Sequence, residues 1–225
     1  CAQHLADLGA DVIKIEDPKV GDYVRPAIRG LANRGKEGMT LDLKSAEGRE
    51  VFFKLLAGAD VVLESFRPGV MARLGLAYET LAQRRPGIVH CAITGYGQTG
   101  PRSGAAGHDI NYLAIAGVLD QTGRAGEPPV IPGFLISDIL GGTLTAAMGI
   151  LAAIIDARAT GRGRFLDVSM PDAVMAHCVL PAAEFNEMRG VHPRGRGTHT
   201  GGAPRYNVYA ARDGRYLAVG AQEKK

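Results

Sequence analysis

Cysteine is scarce: Cys1, Cys91 and Cys178 are odd in number, far apart, and form no CxxC pair. A disulfide framework or a thiolate metal site is therefore not expected, and the three read as reduced thiols of a cytoplasmic protein. Tryptophan is absent, and the seven tyrosines define no stacking platform. Charge of either sign is nearly balanced, with 26 Lys and Arg against 23 Asp and Glu. The basic residues are dispersed along the chain, so no concentrated basic face points to a nucleic-acid partner. An anionic small ligand is compatible with this balance. No basic stretch followed by an apolar run opens the sequence, so a secretory signal is not expected. The longest uncharged run, Ile139 to Ile155, is seventeen residues, contains Gly141, Gly142 and Gly149, and is bracketed by Asp138 and Asp156. It falls short of a membrane span and predicts instead a helix buried on all sides in a protein core.

What is present is an alternation of helix and strand. Leu5 and Leu8 have helical spacing and Gly9 reads as a stop, after which Asp11-Val12-Ile13-Lys14-Ile15-Glu16 reads as a short β-branched strand closed by Asp17-Pro18. Residues 19–38 read as a polar, Gly-rich loop. Ser45 caps a helix to about Ala57, leading to the strand Val61 to Glu64. The pattern repeats with a helix over 78–84 and a strand over 88–94. Further helices are expected over 110–119, 139–157 and 172–188, with a strand at Phe165 to Ser169. Such alternation predicts an α/β fold, a mostly parallel sheet covered by helices. From Gly190 to Pro204 the composition turns to Gly, Arg, His and Pro, and Asp213-Gly214 marks a hairpin. A boundary near Gly195 follows, with a large domain over 1–195 and the linker and first hairpin of a smaller one over 196–225. A lone hairpin has little stability of its own, so the chain reads as a fragment cut at both ends.

Several residues are candidates for chemistry. Gly107-His108-Asp109 puts an imidazole at the start of a predicted helix, whose positive end favours the neutral, proton-accepting form. Many such histidines do no more than bond locally. Asp138 precedes the long apolar helix as a natural N-cap, and capping alone would explain it. Against the apolar wall and the glycines that follow, the same carboxyl could also exchange a proton. Arg25, Arg29, Arg34, Lys36, Arg67 and Arg73 lie in or near Gly-rich turns suited to phosphates, although exposed Arg and Lys are usually only solvated. The loop Gly95-Tyr96-Gly97-Gln98-Thr99-Gly100-Pro101 lacks the lysine of a P-loop and the spacing of a dinucleotide fingerprint. His199 has no neighbours at metal-ligand spacing.

The stretch Leu5 to Glu16 resembles the opening helix and strand of class III CoA-transferases, the CaiB/BaiF superfamily. So do Asn33-Arg34-Gly35-Lys36, Leu41-Asp42-Leu43-Lys44, Glu64-Ser65-Phe66-Arg67-Pro68-Gly69 and Gly95 to Pro101. Within that superfamily, Gly107-His108-Asp109-Ile110-Asn111-Tyr112 is similar to the histidine-bearing stretch of the α-methylacyl-CoA racemase branch, where transferases carry a bulky residue other than histidine. Val219-Gly220-Ala221-Gln222-Glu223 and Gly201-Gly202-Ala203-Pro204 also resemble racemase segments.

The resemblance implies a Rossmann-like large domain in an interlocked homodimer, acting on an acyl-CoA substrate of lipid metabolism without metal or redox cofactor. A thioester acidifies its α-carbon, and inversion there needs one base on each face of a planar enolate whose oxygen is stabilised by backbone donors. The resemblance assigns those faces to His108 and Asp138, with Glu223 orienting the imidazole. It also assigns CoA contacts to Arg67, Arg73, Arg34, Lys36, Gly107 and Tyr112. The alternative it leaves open is CoA transfer between carboxylates with Asp138 as nucleophile. Two departures stand out. Asp17 replaces an arginine of some racemases, shifting diphosphate contacts to Arg25, Arg34 or Lys36. Gly197-Thr198-His199-Thr200 replaces the usual Asn-Met-Leu-Asp near the acyl pocket.

Overall fold

Short β-branched segments flanked by helices become parallel strands here, because each helical crossover returns the next strand to the same end of its sheet. The computed structural model describes residues 1–22 and 24–223. Helix α1 (Ala2–Asp7) leads to β1 (Val12–Glu16), α2 (Pro26–Ala32) and β2 (Lys36–Thr40). Strands β1 and β2 pair in parallel, with Val12 opposite Lys36 and Glu16 opposite Thr40. Both α2 and β2 fall in or overlap the segment expected to be loop. Strand β2 is polar and has Gly38 at its centre, so nothing in its own residues signals a strand; its pairing with β1 makes it one.

Next come α3 (Ala46–Leu56), β3 (Val61–Glu64), α4 (Val70–Arg73), α5 (Tyr78–Arg84) and β4 (Val89–Thr94). The Ser45 hydroxyl accepts the Gly48 N–H at 2.9 Å, satisfying one of the free donors of α3. Helix α6 (Asp109–Ile115) is shorter than expected and is followed by a single 3-10 turn at Leu119–Gln121. The long apolar helix opens with a π-helical stretch, Ser137–Leu144, and continues as α7 (Thr145–Thr160). Strand β5 (Phe165–Ser169) follows and pairs in parallel with β4, which also pairs in parallel with β3. At Gly163 a side chain is excluded: a Cβ there would fall 1.7 Å from the Ile88 carbonyl oxygen.

The expected helix over 172–188 is two, α8 (Met170–Ala176) and α9 (Val179–Met188). Pro181 explains the break, since it has no N–H and its ring collides with the carbonyl four residues back. Restarting at Val179 puts Pro181 in a first turn, where neither matters. The hairpin is formed by β6 (Tyr206–Ala210) and β7 (Tyr216–Gly220), antiparallel about Asp213-Gly214 as the sequence predicts.

By packing, the chain divides into two compact units, residues 1–105 with 139–170 and residues 106–138 with 171–225. The compositional boundary near Gly195 runs along a different line, because the segment carrying His108 associates with the C-terminal part of the chain. In the first unit, Phe52 and Leu56 of α3 pack with Met71, Leu76, Leu81 and Ile88. A second cluster joins Val89 and Cys91 of β4 and Val168 of β5 to Ala146, Ile150 and Ala153 of α7. Burial pushes the Cys91 thiol up to about 12, leaving an inert side chain.

Helix α7 corrects one expectation. Only one face is buried, while Met148, Leu151 and Ile155 are exposed, the last at 71%. The stretch Ser137–Thr160 is long and apolar enough to cross a membrane by composition, yet its small residues pack against β4 and β5 in the core. In the second unit, Leu113 and Ala116 of α6 pack with Val174 of α8.

Candidate active site

His108 occupies the N-cap of α6 in extended conformation, with its side chain exposed. The cap is built by Asn111, whose side-chain oxygen accepts the His108 N–H at 3.0 Å. His108 and Asn111 thus form a capping box at the start of α6, as a local reading of the histidine expects. Tyr112 is buried and donates its hydroxyl proton to the Gly107 carbonyl at 2.6 Å, bracing the turn that precedes the histidine.

Asp138 does not cap the long helix. It is the second residue of the π-helical stretch, and its own N–H is the donor that needs a partner. Asp109 supplies it: the Asp109 Oδ1 accepts the Asp138 N–H at 2.9 Å. Asp109 is 7% exposed and follows His108 directly in the chain. Three residues, His108, Asp109 and Asp138, thus converge in the second unit. Burial first, and the Asp109 carboxylate second, push the Asp138 carboxyl above its ordinary value, while His108 acts the other way. Asp109 was not singled out in the sequence. The only hint was its place in the Gly107 to Tyr112 stretch, and a contact 29 residues along the chain has no local signature.

Glu223 lies just past β7 and is exposed. Among the described residues no hydrogen bond joins it to His108 within the one chain.

The candidate phosphate contacts lie in the first unit. Arg67 and Arg73 are both exposed on the turn and short helix after β3. Gly69 caps α4 at φ +80°, and a Cβ there would approach the Arg73 Nη1 to 3.3 Å. Glycine therefore both permits the turn and leaves room for the guanidinium. A carboxyl oxygen of Glu64 accepts the Phe66 N–H at 2.5 Å and anchors the start of the same turn.

Arg34 is already engaged, with its Nε and Nη2 at 3.0 and 2.5 Å from the two oxygens of Asp7. Lys36 is half-buried, and burial, then the neighbouring Lys14, hold its ammonium below the ordinary lysine value. Arg25 is exposed at the N-cap of α2. Asp17 spends its carboxylate on the turn it closes, accepting the N–H groups of Lys19 and Val20 at 2.8 and 3.1 Å. His199 packs edge-on against Tyr206, with ring centroids 5.3 Å apart. Among the described residues, no group of three His, Cys, Asp or Glu is placed to hold a metal.

A parallel α/β core with a histidine and an aspartate brought to one place defines a class of enzyme scaffold, and comparison with known proteins narrows it. The chain belongs to CoA-transferase family III, which matches it over residues 1–225. It is similar to alpha-methylacyl-CoA racemase of Homo sapiens, 40% identical over 225 residues that cover 99% of this chain and 57% of the racemase. It is also similar to succinyl-CoA:glutarate CoA-transferase of Homo sapiens, 36% identical over 97% of this chain and 51% of that protein. Among solved structures, a CaiB/BaiF family protein from Brucella suis superposes with a TM-score of 0.86 at 34% identity, over 96% of this chain and 60% of its own. The chain thus spans little more than half the length of these relatives.

Proposed function

We propose that this chain carries the acid/base centre of a racemase that inverts the α-carbon of 2-methylacyl-CoA thioesters. The observation that carries the reading is the convergence of His108, exposed at the start of α6, with an Asp138 whose backbone is held by Asp109 and whose carboxyl is held above its ordinary value. In one direction the neutral imidazole removes the α-proton from one face, and protonated Asp138 delivers a proton to the other. In the reverse direction the Asp138 carboxylate is the base and the imidazolium the acid. The enolate between them carries its charge on the thioester oxygen, for which backbone N–H donors are suited. A carboxyl held above its ordinary value is the better proton donor near neutral pH, as this cycle needs.

Arg67 and Arg73 would bind CoA phosphates, with Gly107 and Tyr112 shaping the site beside His108. Arg34, already paired with Asp7, is a weaker candidate than the sequence implied, and Lys36 stays a candidate beside it. In the interlocked homodimer that belongs to this reading, Glu223 of one protomer would orient His108 of the other. The reading needs no metal or redox cofactor, and we place the protein in the cytoplasm.

A second reading, CoA transfer between carboxylates with Asp138 as nucleophile, is favoured by the similarity to a glutarate CoA-transferase. One experiment separates the two. The complete protein is incubated with a 2-methylacyl-CoA in D₂O and followed by NMR, with His108→Ala as control. Exchange with loss of optical purity in the parent, abolished in the variant, is expected. Exchange untouched by His108→Ala, or an aspartyl-CoA thioester trapped at Asp138, would refute the racemase assignment.

A further inference from the structure

The hydrogen bond from Asp138 to Asp109 does more than close a helix end. Asp109 is joined to His108 by one peptide bond and to Asp138 by the 2.9 Å contact, so a single buried side chain couples the segments that carry both groups. Capping alone would not call for a carboxylate. An asparagine or serine oxygen accepts an N–H equally well, and burying a charge costs more than burying a neutral amide. At 7% exposure, a carboxylate here has a consequence that a neutral cap lacks: its field reaches Asp138 with little screening by solvent.

We infer that Asp109 is a positioning residue for Asp138, clamping its backbone and setting the field in which its carboxyl takes up and releases a proton. The charged groups that act on Asp138 among the described residues are Asp109 and His108, both from the start of α6, and they act in opposite senses. Asp109 therefore offsets the pull of a protonated His108 and keeps Asp138 able to hold its proton at the moment the imidazole has accepted one. The inference rests on the proposed racemase reading for its catalytic meaning, but the coupling itself does not.

The test uses the complete protein with Asp109→Asn, which keeps an acceptor for the Asp138 N–H, and Asp109→Ala, which does not. The ¹³Cγ resonance of Asp138, identified by its absence in Asp138→Asn, is titrated in each. In Asp109→Asn the titration is expected to move to lower pH. The acidic limb of the exchange profile should move with it, in the direction that uses Asp138 as base. Asp109→Ala should in addition lose about 10- to 100-fold in kcat, with KM little changed, as expected when a reacting group is misplaced by a fraction of an ångström or more. An Asp138 titration that coincides in Asp109→Asn and the parent would overturn the inference. Movement of the titration in a protein that exchanges no α-proton would sustain the coupling and remove the racemase reading instead.

Discussion

Glu64 offers the sharpest test of how the first unit balances burial against charge. Its side chain is 9% exposed at the end of β3, 3.8 Å from the Nε2 of His90, which is 2% exposed. The pair looks like a salt bridge, but burial drives each partner toward its neutral form. Glu64 is pushed up from 4.5 to about 7, chiefly by desolvation, and His90 is pushed down from 6.5 to about 4 for the same reason. For Glu64 the folded protein keeps its proton to about pH 7, while the unfolded chain releases it near 4.5. Its contribution to stability is therefore complete below 4.5 and lost as pH rises to 7. At 1.36 kcal/mol per pH unit, that loss is about 3 kcal/mol.

Glu64→Gln removes the charge at every pH and retains an oxygen for the Phe66 N–H. Its stability relative to the parent should therefore rise by about 3 kcal/mol between pH 4.5 and 8.5. His90 titrates over an overlapping interval with the opposite sign, so only the difference between variant and parent isolates Glu64. Urea unfolding followed by circular dichroism at the two pH values measures it. A difference that is the same at both would refute the reasoning and mean that Glu64 is ionised and paired in the folded state.

Among the described residues neither buried ring nitrogen of His90 has a hydrogen-bond partner, and the ring packs edge-on against Phe165 at 5.1 Å. His90→Phe should keep that packing and stabilise the fold by about 2 kcal/mol more at pH 5 than at pH 8, since the stability His90 contributes is complete above 6.5 and lost as pH falls to about 4; equal gains at both would exclude a neutral His90. Ser45→Ala should cost about 1 kcal/mol in urea unfolding through loss of the Gly48 cap, and no loss would mean the N–H is satisfied by water. On the proposed reading, Arg67→Ala in the complete protein should raise KM for a 2-methylacyl-CoA by about 10-fold or more with kcat preserved, as for a charge-assisted phosphate contact. Arg34→Ala should change KM far less, because Asp7 already holds that guanidinium; the reverse order would reassign the phosphate contact to Arg34.

The amino-acid sequence by itself determined the elements whose signals are local. The strands Val61–Glu64 and Phe165–Ser169, the helix Tyr78–Arg84, the Ser45 cap and the Asp213-Gly214 hairpin all stand where periodicity and turn chemistry put them. The family was legible from motifs spread over the length of the chain, and the family comparison agrees over all of it. Tertiary structure decided what depends on partners distant in the chain. Strand β2 exists through its ladder with β1, and the long apolar helix buries one face because only that face meets β4 and β5. Arg34 is spent on Asp7, 27 residues away, a pairing that no spacing reveals. The same holds at the candidate site. His108 and Asp138 could each be read as a helix cap; His108 is one, in a capping box with Asn111, whereas Asp138 lies inside its helix and has its own N–H held by Asp109. A buried N–H must find an acceptor, and which side chain supplies it is settled by packing, not by position in the sequence.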